Sequence, residues 1–149
     1  MAWQEIDHDP RERPWYRPAL ESEPGTVRWT EPYNLFSNQD PGITASTRFV
    51  SGDGVEHVIG MDVMLVDVSA FTMALAPTEH GRVTVFTEDF ALIGLPQDPT
   101  LTTPEARRAA LLRQPREAGV PVVVEAAEAF ELTGATEPIR FRSGGAWWW

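Results

Sequence analysis

The 149-residue chain has no cysteine, no lysine and no uninterrupted apolar run long enough to cross a bilayer. Without cysteine it has no thiol nucleophile, no disulfide and no cysteine-based metal site, while reducing and oxidising compartments both remain possible. The most apolar stretch, residues 55–76, is interrupted by Glu56, His57, Asp62, Asp67 and Ser69. Ionised side chains are costly in hydrocarbon, so the sequence predicts no transmembrane helix.

Positive charge is also scarce, because 12 basic residues stand against 22 acidic ones and the formal net charge is -10. No segment gathers the cations that a row of phosphates needs, so we expect no nucleic-acid partner. Every one of the basic residues is arginine. Its planar guanidinium suits two-pronged recognition of a carboxylate better than a lysine ammonium does.

The overall composition is that of a folded protein, with 42% hydrophobic and 23% charged residues. A chain of this length suits one ordinary domain and is too short for a receptor with its own output module. Residues 1–9 lack the cationic start and apolar core of a secretory signal, and none is predicted within the chain.

The first half of the sequence contains signals for one short helix and three strands. Asp9 as N-cap, Pro10 and Glu12 predict a short helix that carries Arg13, Trp15 and Tyr16 and is stopped by Pro18, Pro24 and Gly25. Residues rich in β-branched and aromatic side chains predict strands over 26–33, 43–51 and 55–65. Gly52-Asp53-Gly54 between the last two indicates a hairpin turn and not a phosphate loop.

The second half begins again with the same kinds of element. A helix over 67–76 is predicted to bury Val68, Phe71 and Leu75 and to end at Pro77. The later elements predicted are strands over 82–87 and 90–95, a proline-rich loop over 96–104, helices over 105–113 and 122–132, and the start of a strand over 139–142. A domain boundary is expected after residue 77.

Five short motifs between residues 13 and 69 occur in one order. They are Arg13-Pro14-Trp15-Tyr16, Trp29-Thr30-Glu31-Pro32-Tyr33, Pro41-Gly42-Ile43-Thr44-Ala45-Ser46, Gly60-Met61-Asp62-Val63 and Asp67-Val68-Ser69. This order resembles the double Cache family, whose members are extracytoplasmic sensor domains of bacterial chemoreceptors, histidine kinases and nucleotide cyclases. The resemblance implies an α+β fold with a PAS-like antiparallel sheet and flanking helices, an extracytoplasmic location, no catalysis and no cofactor.

The resemblance also assigns the two halves to different lobes. Residues 1–77 would be a distal lobe with its ligand helix and last three strands, and residues 78–149 the start of a proximal lobe. Each lobe would lack strands, so we expect an aggregation-prone fragment or a permuted single sheet. Trp147-Trp148-Trp149 would then belong to an interrupted core strand rather than to a membrane anchor.

Five residues match the binding motif of family members that sense amino acids, and they are Arg13, Trp15, Tyr16, Tyr33 and Asp62. An arginine can grip the carboxylate of an amino acid with two N–H bonds, and an indole N–H adds a third donor. A carboxylate and tyrosine rings suit the ammonium. Asp62 interrupts an apolar strand, where an ionised carboxylate is costly unless it is paired. The resemblance therefore implies a zwitterionic ligand, with homodimers formed through the full-length receptor.

Three alternatives remain open. The ligand can be another carboxylate or an amine, or the aromatic residues can belong to a structural module that binds nothing. The third is a metal-dependent hydrolase that uses Asp7-His8-Asp9, although a mobile acidic tail explains that cluster more simply. His57 and His80 stand alone in the sequence, without the spacing of a catalytic triad, and no metal site is predicted.

Overall fold

A computed structural model of the chain describes residues 9–37, 39–134 and 137–148. The described residues form two compact units that divide between Met64 and Leu65. This division comes earlier than the boundary expected after residue 77, because the helix that follows Met64 packs within the second unit. The assignment of the halves to a distal and a proximal Cache lobe stays a prediction.

The first unit opens with two short helical segments where one helix was predicted. A 3-10 helix, Pro10–Glu12, is capped by Asp9, and the α-helix α1 spans Tyr16–Leu20. Arg13 lies between them with an extended backbone, ψ 151°, because the residue before a proline avoids the helical region. Pro18 does not end α1, since it occupies the first turn, where its missing N–H removes no helical hydrogen bond.

An antiparallel sheet of four strands makes up the rest of the first unit. The strands are β1 (Arg28–Trp29), β2 (Tyr33–Asn34), β3 (Pro41–Val50) and β4 (Glu56–Met64). β1 and β2 pair in succession with one edge of β3, and β4 pairs with its other edge. The strand predicted over 26–33 is thus two short pieces, whereas the predicted hairpin turn is confirmed by Gly54 at φ 82°.

The two faces of the sheet differ in burial. Gly42, Thr44 and Ser46 alternate along β3 on the buried face, over which α1 packs. On the opposite face Ile59 and Met61 of β4 are 58% and 70% exposed. The residues next to α1 are therefore small or polar, which leaves room for side chains from the preceding segment.

The second unit begins with α2 (Leu65–Ala74), which buries a different face from the one predicted. Leu65, Ser69 and Thr72 are buried, while Phe71 is 65% exposed. Thr72 Oγ1 donates to the carbonyl of Leu95 at 2.6 Å, and Ser69 Oγ accepts from its N–H at 3.2 Å. Hydrogen bonding to the backbone therefore decides the orientation of α2, against the apolar pattern of its sequence.

The remaining elements follow the predicted order with three additions. They are β5 (Val85–Phe86), β6 (Leu92–Gly94), a 3-10 helix (Pro99–Leu101), α3 (Pro104–Ala110), α4 (Pro115–Ala118), α5 (Pro121–Thr133), β7 (Phe141–Ser143) and β8 (Ala146–Trp148). The additions are the 3-10 helix within the predicted proline-rich loop, α4 and β8, and β8 pairs with β7 as a hairpin. The α+β class with antiparallel sheets and flanking helices is confirmed. Within the described part of the chain, no helix has the length and apolarity needed to cross a membrane.

Replacing Gly42 by alanine tests the packing of the buried face. A Cβ at Gly42 would lie 2.6 Å from Cδ1 of Leu35, whose side chain is itself buried. We expect Gly42→Ala to lower the free energy of unfolding by about 1–3 kcal/mol, as overpacking commonly does. Gly52→Ala is the control, since nothing lies within 4 Å of a Cβ there. Urea denaturation measures both, and equal stability of the two variants would contradict this packing.

Substitutions in α2 distinguish the observed buried face from the predicted one. Thr72→Val keeps the shape of the side chain but leaves the Leu95 carbonyl without its donor, which we expect to cost about 1–3 kcal/mol. Phe71→Ala removes a large but exposed ring and should change stability by only about 0.5 kcal/mol. Thermal unfolding followed by circular dichroism compares them. A greater loss for Phe71→Ala would show that α2 buries its apolar stripe after all.

Candidate functional site

A chain of hydrogen bonds joins three polar side chains on the buried face of the first sheet. Thr44 of β3 lies directly opposite Asp62 of β4 in the strand register. Its Oγ1 donates to Asp62 Oδ1 at 2.6 Å and lies 2.5 Å from the hydroxyl oxygen of Tyr33. Tyr33 stands at the start of β2, so three strands meet in this chain.

The direction of each proton in this chain follows from the carboxylate. An ionised aspartate can only accept, so the single hydroxyl proton of Thr44 goes to Asp62. The phenolic proton of Tyr33 must then point to Thr44, whose lone pairs are the only acceptor left between them. Tyr33 therefore presents oxygen lone pairs, and no proton, to any other group that approaches it.

Arg13 brings a positive charge to the same place. Its guanidinium carbon lies 5.4 Å from the centre of the Tyr33 ring and 6.0 Å from that of Phe36. One guanidinium nitrogen, Nη2, donates to the carbonyl of Asn34 at 3.1 Å. This bond and the tyrosine ring hold the arginine beside β2 and leave its other N–H groups available, within the part of the chain described, for a carboxylate.

Trp15 lies against the neighbouring part of β4. Its ring sits so close to Gly60 that a Cβ there would come within 3.0 Å of it. Ser46 Oγ donates to the Trp15 carbonyl at 3.0 Å and fixes the backbone of the segment. Tyr16 contacts the indole edge-on, with ring centres 5.8 Å apart. In the described residues the indole N–H has no partner, so it is an available donor on a ring that packs at Gly60, two positions along β4 from Asp62.

The structure thus brings together most of the predicted site. Arg13, Tyr33 and Asp62 are linked directly or through Thr44, and the ring of Trp15 packs at Gly60 of β4. Tyr16 joins through the ring of Trp15 and through its N–H, which donates to the Arg13 carbonyl at 3.1 Å. Asp62 is exposed, which removes the expectation that burial in an apolar strand forces it to be paired. Its pairing with Thr44 is a matter of geometry rather than of desolvation.

Two residues of the site escaped the sequence analysis, Thr44 and Thr30. Thr30 Oγ1 accepts from the N–H of Thr44 at 2.9 Å and extends the β1 ladder by one side-chain bond. A signal for Thr44 was present in the sequence. The hairpin turn is centred on Asp53, and positions 44 and 62 both lie nine residues from it.

The other candidate residues do not form a reactive centre among the described residues. Asp7 and His8 lie outside them, and Asp9 caps the first helical segment and pairs with Arg11. No group of three or more potential metal ligands occurs in the described part. Ser51 lies 3.1 Å from His57 Nε2 and donates to Asp53, so the serine, and not the histidine as in a triad, stands in the middle.

The second unit has a cleft of about 460 Å³ of its own, lined among others by Pro77, His80, Val123 and Trp148. Its arginine, Arg82, is already bound to Asp98 Oδ2 and to the carbonyl of Gln97, both at 2.8 Å. Desolvation raises the pKa of Asp98, but bonds from Thr100 and Arg82 outweigh it and the pKa is lowered. The cleft is mostly apolar and its ion pair is satisfied, so it suits a zwitterion less well than the first unit does.

The comparisons with known proteins point to bacterial chemoreceptors. No family model matches the chain. Over 59 residues, 40% of its length, it is 41% identical to the methyl-accepting chemotaxis protein McpC of Bacillus subtilis. Its fold is similar to the ligand-binding domain of the Campylobacter jejuni chemoreceptor Tlp3 in complex with 4-methylisoleucine, with a TM-score of 0.62, 17% identity and 95% of this chain covered.

A second similar structure is the ligand-binding domain of the Pseudomonas fluorescens chemoreceptor CtaA in complex with L-isoleucine. The TM-score is 0.52 and the identity 24%, with 79% of this chain covered. The chain spans 9% of McpC, 47% of the Tlp3 domain and 43% of the CtaA domain. It therefore has the fold of chemoreceptor ligand-binding domains, and its predicted resemblance to part of a double Cache domain is confirmed.

Proposed function

We propose that the chain is the ligand-binding part of an extracytoplasmic bacterial sensor and that it binds a small zwitterion, an amino acid, through Arg13, Trp15, Tyr16, Tyr33 and Asp62. One observation carries the proposal. The guanidinium of Arg13 lies over the ring of Tyr33, whose hydroxyl is joined through Thr44 to the carboxylate of Asp62. A cation and an anion are thereby held on one face, with a single tyrosine between them.

The polarity of the site matches the two ends of an amino acid. The available donors, the guanidinium of Arg13 and the indole N–H of Trp15, come from the segment between the two helical pieces. The acceptors, the hydroxyl oxygen of Tyr33 and the carboxylate of Asp62, come from the strands. A ligand carboxylate is suited to the first set and an ammonium to the second.

The similar proteins support this assignment. CtaA and Tlp3 are chemoreceptors whose domains were solved with L-isoleucine and 4-methylisoleucine, and McpC is a chemotaxis protein. By extension the chain would act without catalysis and without a cofactor, outside the cytoplasm, in a receptor that forms homodimers. The net charge of -10 fits a small-molecule ligand better than a nucleic acid.

The first test is thermal unfolding of the chain in the presence of single metabolites. A ligand that binds only the folded state stabilises it by RT ln(1 + [L]/Kd), about 2.7 kcal/mol at a hundredfold excess over Kd, so at least one L-amino acid should raise the Tm. The panel also contains dicarboxylates, amines and purines. A shift with only one of these three groups would replace the amino acid by a ligand of that group. No shift with any compound would favour a purely structural module.

The second test assigns each end of the ligand to its residue. Arg13→Ala should weaken binding of L-isoleucine by about 2–5 kcal/mol, and isoleucinamide, which lacks the carboxylate, should lose little further on that variant. Asp62→Asn should weaken binding of both compounds, since both keep the ammonium. Calorimetry measures the Kd of each variant for each of the two compounds.

Two exposed residues serve as controls for these binding measurements. Arg17→Ala removes an arginine of α1, and Asp67→Asn removes an acid at the start of α2, and both side chains are exposed. Neither change should alter affinity by more than about 0.5 kcal/mol. Additive losses from Arg13→Ala and from blocking the ligand carboxylate would mean that the two groups do not touch, and the assignment would be wrong.

A further inference from the structure

We propose that Thr44 is a specificity-determining positioning residue, which holds Tyr33 as an acceptor beside the carboxylate of Asp62 and so selects a 2-amino acid over the matching 2-hydroxy acid. The inference rests on the proposed function of the same site and adds the rule by which it chooses its ligand. Thr44 was not among the predicted binding residues. It has no exposed surface, so it acts through its two neighbours and not by touching the ligand.

The hydroxyl of Thr44 is fully used. It donates its only proton to Asp62 at 2.6 Å and accepts the proton of Tyr33 at 2.5 Å. Its backbone is held on both sides by Thr30, whose Oγ1 accepts from the Thr44 N–H at 2.9 Å and whose N–H donates to the Thr44 carbonyl at 3.1 Å. The residue therefore cannot turn to serve a ligand, and the direction of both hydroxyl protons is fixed.

Because the Tyr33 proton is directed to Thr44, the site is selective for ligand groups that donate hydrogen bonds. Tyr33 has no proton left to offer, and the second oxygen of Asp62 is a bare acceptor within the described part of the chain. An ammonium brings three N–H donors and can satisfy both oxygens. A ligand hydroxyl brings one proton, so one acceptor stays unmatched and its own oxygen faces lone pairs. Sites of this kind reject the analogue that lacks the required donor much more strongly than apolar pockets reject a missing methylene.

Removing the Thr44 hydroxyl should relax the selection. In Thr44→Val the Tyr33 proton loses its acceptor and is free to turn towards a ligand oxygen, while Thr44→Ser keeps the relay. The measured quantity is the ratio of Kd values for L-isoleucine and for 2-hydroxy-3-methylpentanoate, determined by calorimetry. We expect the preference for isoleucine to fall by about tenfold in Thr44→Val and to return in Thr44→Ser.

A purely structural role for Thr44 gives a different result. In that case Thr44→Val would weaken both ligands by the same factor, or neither, and the ratio would stay unchanged. An unchanged ratio in Thr44→Val, or a ratio in Thr44→Ser as low as in Thr44→Val, would overturn the inference. Circular dichroism melting of each variant without ligand shows whether it remains folded, and the ratio does not depend on the active fraction.

A measurement without ligand separates this inference from the proposed function. In protein labelled with ¹³C-threonine and dissolved in mixed H₂O and D₂O, a slowly exchanging hydroxyl splits its Cβ resonance. We expect a split signal for Thr44, which is fully buried, and a single one for exposed threonines such as Thr26. Because the Thr44 proton goes to Asp62, the splitting should persist in Tyr33→Phe and vanish in Asp62→Ala.

The outcomes are distinct. Loss of the splitting in Tyr33→Phe with retention in Asp62→Ala, or no splitting in the unsubstituted chain, overturns the role of Thr44 even where amino acids raise the Tm. The expected splitting in a chain that binds no amino acid of the panel overturns the proposed function, and the specificity role of Thr44 with it. The expected splitting together with a reduced ratio in Thr44→Val supports both.

Discussion

The register of the β3–β4 hairpin is the constraint on which the binding site depends. The turn at Gly52-Asp53-Gly54 pairs Val50 with Glu56, and the ladder then runs without a break to the pairing of Thr44 with Asp62. A shift by one residue would move every side chain of β4 to the other face of the sheet. Asp62 would then lie with the exposed residues of the outer face, away from Thr44 and Tyr33. A two-glycine turn thereby sets the position of a carboxylate nine residues away.

The segment before α1 supplies the opposite charge through a second backbone constraint. Pro14 keeps the backbone of Arg13 extended, so the helical conformation is interrupted there. The residue after the proline, Trp15, then packs on the sheet. The contact is possible because Gly60 has no side chain, and a Cβ there would come within 3.0 Å of the indole. Pro14, in the segment that carries Arg13 and Trp15, and Gly60, in β4, therefore determine how closely this segment approaches the strand that carries Asp62.

Local signals in the sequence predicted those parts that local chemistry controls. The hairpin and the order of the elements could be read from turn residues and alternation, whereas the grouping of Arg13 with Tyr33 and Asp62 was implied by the family resemblance. The buried face of α2 could not be predicted, because it depends on the Leu95 backbone, whose partners Thr72 and Ser69 stand 23 and 26 residues earlier in the chain. The prediction of one strand over 26–33 was wrong for a related reason. Two short strands, β1 and β2, pair in succession with the same edge of β3.

Thr44 illustrates why the role of a residue can stay hidden when its position is predictable. A threonine in a strand is ordinary, and β propensity alone explains its presence. Its role follows only from two neighbours that the fold places at hydrogen-bond distance, a carboxylate that cannot donate and a phenol that then must. Proton direction is a property of the network and of no single residue, so no pattern of residue types shows it.

The same network bears on the energetics of recognition. Binding ordinarily costs free energy for ordering side chains, about 0.5–1.5 kcal/mol for each one that is immobilised. Tyr33 and Asp62 are already bonded to a fully buried threonine, and Arg13 is already held by the Asn34 carbonyl and the Tyr33 ring. The side chains that would meet the ligand are thus ordered before it arrives. Most of the cost of orienting them is met during folding, so even the few polar contacts of a small zwitterion can discriminate between ligands.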